Sequence, residues 1–125
     1  MIDRRGDAQA LGRRAEELAR EHLQSHGLRL LAQNWRCRRG ELDLVMLDGD
    51  TVVFVEVRCR RNPAFGGALE SVDARKRQRL VAAAEHFLQQ EARWSRHPCR
   101  FDVVAVQPTA GTPAQPNWIT NAFDT

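Results

Sequence analysis

A chain of 125 residues suits one domain, and at this size about 65–70% of the unfolded surface can be buried, enough for one core. The 42% hydrophobic and 28% charged content is that of an ordinary globular protein rather than a disordered one. No apolar run approaches the ~20 residues of a membrane span. The opening Met1 to Asp7 puts no apolar segment behind its charges, so no signal peptide is expected and the cytoplasm is the expected compartment. Cys37, Cys59 and Cys99 are odd in number and widely spaced, which suits free thiols in a reducing compartment. Neither they nor the scattered His22, His26, His86 and His97 have zinc-ligand spacing.

Residues 8–26 are predicted to form a helix, with Leu11, Ala15, Leu18, Ala19, His22 and Leu23 on one face and Gly27 as its stop. Leu28 to Trp35 reads as a strand, although Leu28, Leu30 and Leu31 break clean alternation. Gly40 to Leu47 and Thr51 to Arg60 are the clearest strands, joined through the hairpin signal Asp48-Gly49-Asp50. Asn62 to Gly67 is a loop by its proline and paired glycines. Ser71 is the expected cap of a helix running to about Ala92, with Leu80, Ala83, Ala84, Phe87 and Leu88 inward. Phe101 to Val106 is expected as a short strand buried on both faces, 108–116 as a flexible loop, and Trp118 and Ile119 as an edge strand or tail. The whole, 1–125, reads as a single α/β domain with no repeat.

Side chains alternate along a strand, so parity assigns faces. Leu42, Leu44 and Met46 fall on one face of the first hairpin strand, and Glu41, Asp43, Val45 and Leu47 on the other. On the second strand, Val53, Val55, Val57 and Cys59 oppose Val52, Phe54, Glu56 and Arg58. The two wholly apolar sets must share a core, which restricts the register. A two-residue loop at Gly49-Asp50 sets Asp43 opposite Glu56 and Glu41 opposite Arg58. A loop at Asp48-Gly49 instead sets Glu56 opposite Glu41, with Asp43 diagonal to it. Either way Glu41, Asp43, Glu56 and Arg58 form one patch at the end of the hairpin away from the turn.

Opposed carboxylates lie about 4.5–5.5 Å apart at Cβ, an unfavourable pairing without a cation. Arg58 as a surface salt bridge neutralises one of them; a hard divalent ion with oxygen ligands, such as Mg2+, neutralises both. Glu16 sits at the border of the first helix's apolar stripe, placed either to reach the patch or to stay solvated. Around the acids lie three basic clusters: Arg36, Arg38 and Arg39; Arg58, Arg60 and Arg61; and Arg75, Lys76, Arg77 and Arg79. Their grouping fits a phosphate-bearing partner, although the net charge is only +3. Cations in the first turn of a helix oppose its dipole, a conflict that a bound phosphate would remove and that Asp73 offsets in part.

The runs Gly12-Arg-Arg-Ala-Glu16-Glu-Leu-Ala19, Asn34-Trp35-Arg36, Gly40-Glu41-Leu-Asp43-Leu, Val53-Phe-Val-Glu56-Val-Arg58, Arg100-Phe-Asp-Val-Val104 and Asn121-Ala-Phe123 span nearly the whole chain. Together they resemble the YraN-like family of bacterial proteins, expected nucleases of the restriction-endonuclease-like fold related to archaeal Holliday-junction resolvases. The resemblance implies a central mixed β-sheet with a β-hairpin active-site core flanked by helices. It implies a PD-(D/E)xK-type site in which Asp43 and Glu56 hold Mg2+ or Mn2+, Glu16 completes the metal shell or orients water, and Arg58 stands where lysine is usual. Leu42 stands where some relatives carry proline. Arginine cannot accept a proton, but it binds phosphate in a fork. Related nucleases sometimes carry the lysine on a neighbouring helix, and Lys76 is the only lysine in the chain.

The expected function is a metal-dependent nuclease acting on DNA rather than RNA, on branched or single-stranded substrates, with Glu16, Asp43, Glu56 and Arg58 catalytic and Glu41 and Lys76 auxiliary. Arg36, Arg38, Arg39, Arg60, Arg61, Lys76 and Arg77 are the expected nucleic-acid contacts. Two alternatives are a non-catalytic nucleic-acid-binding accessory protein that keeps the fold and a purely structural interaction module. No membrane association is expected. Junction resolution would require two sites and hence a homodimer.

Overall fold

A computed structural model describes residues 4–59, 72–107 and 115–123, with side chains from Gln9 onward. The elements run α1 (Arg4–Ser25), β1 (Arg29–Cys37), β2 (Gly40–Asp48), β3 (Thr51–Cys59), α2 (Ala74–Gln90), β4 (Cys99–Val106) and β5 (Asn117–Ile119), with one 3-10 turn at Ala92–Trp94. The five strands form one sheet in sequence order. Its neighbours are antiparallel except β3 and β4, which run parallel and are connected through α2. The expected loop at Asn62 to Gly67, the expected cap Ser71 and most of the loop at 108–116 lie outside the described residues. No helix among the described residues is long and apolar enough to cross a membrane.

Both faces of the sheet are covered. Ala15, Ala19 and Leu23 of α1 pack on Leu44, Met46, Val53, Val55, Val104 and Val106. Leu80, Ala83, Ala84 and Phe87 of α2 pack on Val45, Leu47, Val52, Phe54, Phe101 and Val103. Two-sided burial explains why β3 and β4 read as nearly continuous apolar runs. The ladder from Leu44↔Val55 to Asp48↔Thr51 selects the two-residue Gly49-Asp50 turn from the two registers the sequence allows.

Helix α1 ends as its glycine implies. Gly27 has φ +91°, its N–H donates to Gln24 O at 3.0 Å, and the Leu28 N–H donates to Leu23 O at 3.1 Å. Buried Leu23 and Leu28 join the same cluster and seal this Schellman cap. The cap of α2 is Asp73, whose carboxylate accepts the Lys76 N–H at 2.9 Å. Its negative charge sits against an otherwise cationic first turn.

Strict alternation breaks at one place. Leu42 does not share a face with Leu44: it packs in the α2-facing cluster with Val45 and Leu47, whereas Leu44 faces α1. Between the pairs Gln33↔Leu44 and Trp35↔Leu42 lie Asn34 and Asp43, and Asn34 has φ +52°. One left-handed residue in β1 therefore accompanies a break of alternation in β2, so Trp35 and Leu42 turn together toward α2. Asparagine tolerates this backbone region better than most residues. The irregular Leu28, Leu30, Leu31 pattern has a similar origin, a register shift between Leu30 and Ala32.

Helix α2 is seated by Gly40. A Cβ there would lie 3.1 Å from the Arg79 carbonyl oxygen, a backbone atom that cannot swing aside. Gly40→Ala is expected to cost about 1–3 kcal/mol, as overpacking does. Gly12 in α1 has open space around it, and Gly12→Ala is expected to add about 0.8–1 kcal/mol through helix propensity. Urea denaturation of both variants checks the contrast; changes of the same sign would contradict it.

Candidate active site

Glu16, Asp43 and Glu56 come from three elements, α1, β2 and β3. The paired ladder of β2 and β3 stops at Leu44↔Val55, and at the next position the Asp43 Oδ2 accepts the Val57 N–H at 2.9 Å. The carboxylate of Asp43 thus stands in for a ladder carbonyl where the two strands part. Glu56 is only 4% exposed and lies on the α2 side of β3. Glu16 is half-buried on the α1 side. The alternation break at Asp43 leaves its carboxylate between the two.

The electrostatics bear the mark of crowded negative charge. Asp43 is pushed up to about 8, first by burial and then by the charge of Glu56. The Val57 N–H pulls it down, and Glu16 and Glu41 push it up further. Glu16 is also raised, by burial first; the neighbouring Asn34 side chain counteracts, Glu41 and Glu56 add to the rise, and Arg36 opposes it. Asn34 was not among the residues expected at the site. Its signal in the sequence was an asparagine placed where the strand pattern turns irregular.

Two cations converge on Glu56. Lys76 Nζ of α2 lies 3.2 Å from its Oε1, and the Arg58 guanidinium lies 3.5 Å from the same oxygen. The one lysine of the chain therefore reaches the acidic cluster from a helix. Glu41 is exposed and pairs with Arg36 across β1 and β2 at 3.4 Å, rather than with Arg58 as the hairpin register suggested. The β2–β3 ladder does not extend to those residues, and the salt bridge follows the β1 pairing instead.

The basic residues separate. Arg38 and Arg39 form the exposed turn between β1 and β2. Arg77 is turned away: its Nε donates to Val72 O at 3.0 Å and its guanidinium lies 5.4 Å over the Phe123 ring. Arg60 and Arg61 lie outside the described residues. Arg58, Arg75, Lys76 and Arg79 instead line one cavity with Asp73. Among the described residues no three acidic, histidine or cysteine side chains close into a ready metal cage. The carboxylates are held by Lys76, Arg58 and the Val57 N–H.

Residues 15–106, a span holding Glu16, Asp43, Glu56, Arg58 and Lys76, match the family described as Uncharacterised protein family UPF0102. A UPF0102 protein of Pseudomonas fluorescens is 66% identical over 95% of this chain and 97% of its own length. Another from Ectopseudomonas mendocina is 70% identical over 91% of this chain and 94% of its own length. A third from Pseudomonas aeruginosa is 69% identical over 90% and 91%. The motifs that resemble the YraN-like pattern, the matched span and these relatives agree: the chain belongs to the UPF0102 family.

Proposed function

We propose that the protein is a divalent-metal-dependent nuclease of the restriction-endonuclease-like fold that hydrolyses phosphodiester bonds in DNA. The observation that carries this reading is the convergence of Glu16, Asp43 and Glu56 from three elements, with Lys76 and Arg58 both on the Glu56 carboxylate. An oxygen-only donor set suits a hard cation, and Asp43 and Glu16 are raised by burial first and by neighbouring acids second, a negative charge that such a cation would relieve. Asp43 and Glu56 would hold Mg2+ or Mn2+, with Glu16 beside them. When bound, the ion supplies Lewis-acid activation of water and neutralises phosphate charge.

The chain's own side chains divide the remaining work. Arg58 stays charged and forks onto phosphate oxygens. Lys76 supplies an ammonium that can hand a proton to the leaving oxygen, which the Arg58 guanidinium cannot. The Val57 N–H fixes the orientation of Asp43.

Single-turnover cleavage with Mn2+, on duplex, single-stranded, flap and four-way DNA, tests the reading. Asp43→Ala is expected to abolish cleavage, and Lys76→Ala to slow it about 10²-fold or more, the usual scale of proton-transfer catalysis. Arg58→Lys is expected to be faster than the parent. Symmetric cutting of a four-way junction would take two such sites and hence a homodimer, to be read by sedimentation with and without DNA.

A second reading, a nucleic-acid-binding protein without cleavage, draws support from Arg58 at the usual lysine position and from Glu56 being charge-balanced by two side chains. DNA binding at low salt with no cleavage of any substrate, and identical traces for the parent and Asp43→Ala, would select it. Absence of binding to any DNA or RNA would remove both.

A further inference from the structure

A cavity of about 300 Å³ opens beside the acidic cluster, lined by Arg58 from β3 and by Asp73, Arg75, Lys76 and Arg79 from the start of α2. Arg79 follows Arg75 by four residues and Lys76 by three, so all three fall on one side of the helix, whereas Arg77 points elsewhere. The helix end does not make this site, since Asp73 already caps it and takes the Lys76 N–H. The site consists of side chains from two elements around a concave volume.

The charge count indicates the ligand. Among the described residues four cations face the cavity, against Asp73 in its wall and Glu56, which touches Arg58 and Lys76. Two positive charges are left over. Among the described residues neither Arg75 nor Arg79 has an acidic partner at ion-pair distance. A phosphate monoester carries about −1.5 to −2 at neutral pH and three acceptor oxygens, whereas an internal phosphodiester carries a single charge.

We propose that this cavity is a phosphate-monoester pocket that binds the terminal phosphate of a polynucleotide, so that the neighbouring acidic cluster faces the bond next to a phosphorylated end. The proposal rests on the nuclease reading for what happens at the cluster, but the pocket itself is tested without cleavage. Arg58 and Lys76 link the two sites, each lining the pocket while touching Glu56. Arg75 and Arg79 belong to the pocket and touch none of the three clustered acids at ion-pair distance. They select the end, and the acids serve the bond.

The experiment is equilibrium binding in chelator, without added metal, of single-stranded DNA carrying a 5′-phosphate, a 3′-phosphate or hydroxyl ends, with competition by inorganic phosphate and by a nucleoside monophosphate. One phosphorylated end is expected to bind about tenfold tighter than the hydroxyl-ended strand, as two or more added charge-assisted hydrogen bonds allow. Inorganic phosphate should erase that preference. Arg79→Ala, which keeps the Cβ facing Gly40, and Arg75→Ala should each lose the preference while binding the hydroxyl-ended strand within a few-fold of the parent. Arg79→Lys should restore part of it. Equal affinity for all three strands overturns the proposal, as does stabilisation by inorganic phosphate or the nucleotide with no discrimination between ends. Because no bond is cut in this assay, a protein that never cleaves can still pass it, and an active nuclease can still fail it.

Discussion

Asp102→Ala is expected to cost about 3–5 kcal/mol, a large share of the 5–15 kcal/mol that holds a typical domain folded. Asp102 is fully buried in β4, on the sheet face that carries Val104 and Val106 toward α1. Its two oxygens accept from Arg100 Nε at 3.1 and 3.2 Å, from Trp118 Nε1 at 2.9 Å and from the Asn121 N–H at 2.9 Å. Arg100 also reaches Asp48 at 2.9 Å, so this one carboxylate ties the hairpin turn, β4 and the C-terminal segment together. Trp118 is held further by the rings of His22 and His26, with centroids at 6.1 and 5.6 Å. Removing the carboxylate orphans the Trp118 and Asn121 donors; removing Arg100 leaves a buried charge short of its cation. Arg100→Ala should therefore be comparably damaging, and Asp102→Asn, which keeps the shape, less so. Urea midpoints followed by tryptophan fluorescence measure the series. Under the proposed function, Asp102→Asn should retain cleavage per folded molecule, because Arg100, Trp118 and Asn121 line one pocket with Asp48 and Thr51 at the hairpin turn and, among the described residues, none of them bonds to Asp43 or Glu56. An alanine variant within 1 kcal/mol of the parent would show that the hub does not carry this weight.

The sheet was legible in the sequence where one rule governs it. Asp48-Gly49-Asp50 and the two apolar stripes narrowed the β2–β3 register to two choices, and Gly27 gave the end of α1, because turn chemistry and alternation are local. The site was less legible, because it forms where alternation breaks. Parity placed Leu42 with Leu44 and turned Asp43 to a face. The left-handed Asn34 instead moves Leu42 to the α2 side and aims Asp43 at the Val57 N–H. No periodicity argument yields that, since it depends on two strands deforming together. Lys76 was recognisable only as the sole lysine; its 3.2 Å approach to Glu56 depends on how α2 is seated over Gly40. Asp102 stood in plain sight, a carboxylate inside an apolar strand. Beside Arg100, its partners Trp118 and Asn121 come from 16 and 19 positions later, beyond the reach of local pattern. The cavity arginines Arg75 and Arg79 looked like Arg77 in composition, and only the helix geometry separates them.

In chelator, the protein is expected to lose stability as pH rises from about 4 to about 8, and Asp43→Asn is expected to remove much of that loss. The sign follows from proton counting. Asp43 is held at about 8 in the folded chain against 3.8 ordinarily, so between those values the folded state keeps a proton that the unfolded state has released. Stability then falls with rising pH, by up to about 1.4 kcal/mol per unit, is greatest below the ordinary value and levels off above about 8. Glu16, raised for the same reasons of burial and neighbouring acids, adds in the same direction. Asparagine keeps an oxygen for the Val57 N–H but cannot ionise, so at pH 8 the variant should be the more stable protein without metal. Other groups titrate alike in both proteins and cancel in the difference between variant and parent. Adding Mn2+ should reverse the order. A cation at Asp43 and Glu56 requires ionised carboxylates, so its stabilising effect should grow as pH rises and be absent from Asp43→Asn. Thermal melts from pH 4 to 9, each with chelator and with Mn2+, give all four curves. Parallel chelator curves for parent and variant would contradict the crowding of acids at Asp43, and an equal response of both to Mn2+ would place the cation elsewhere. The two failures are independent: a crowded carboxylate that binds no cation would still flatten the chelator curve on conversion to asparagine, so the acid cluster would stand while the proposed metal would not.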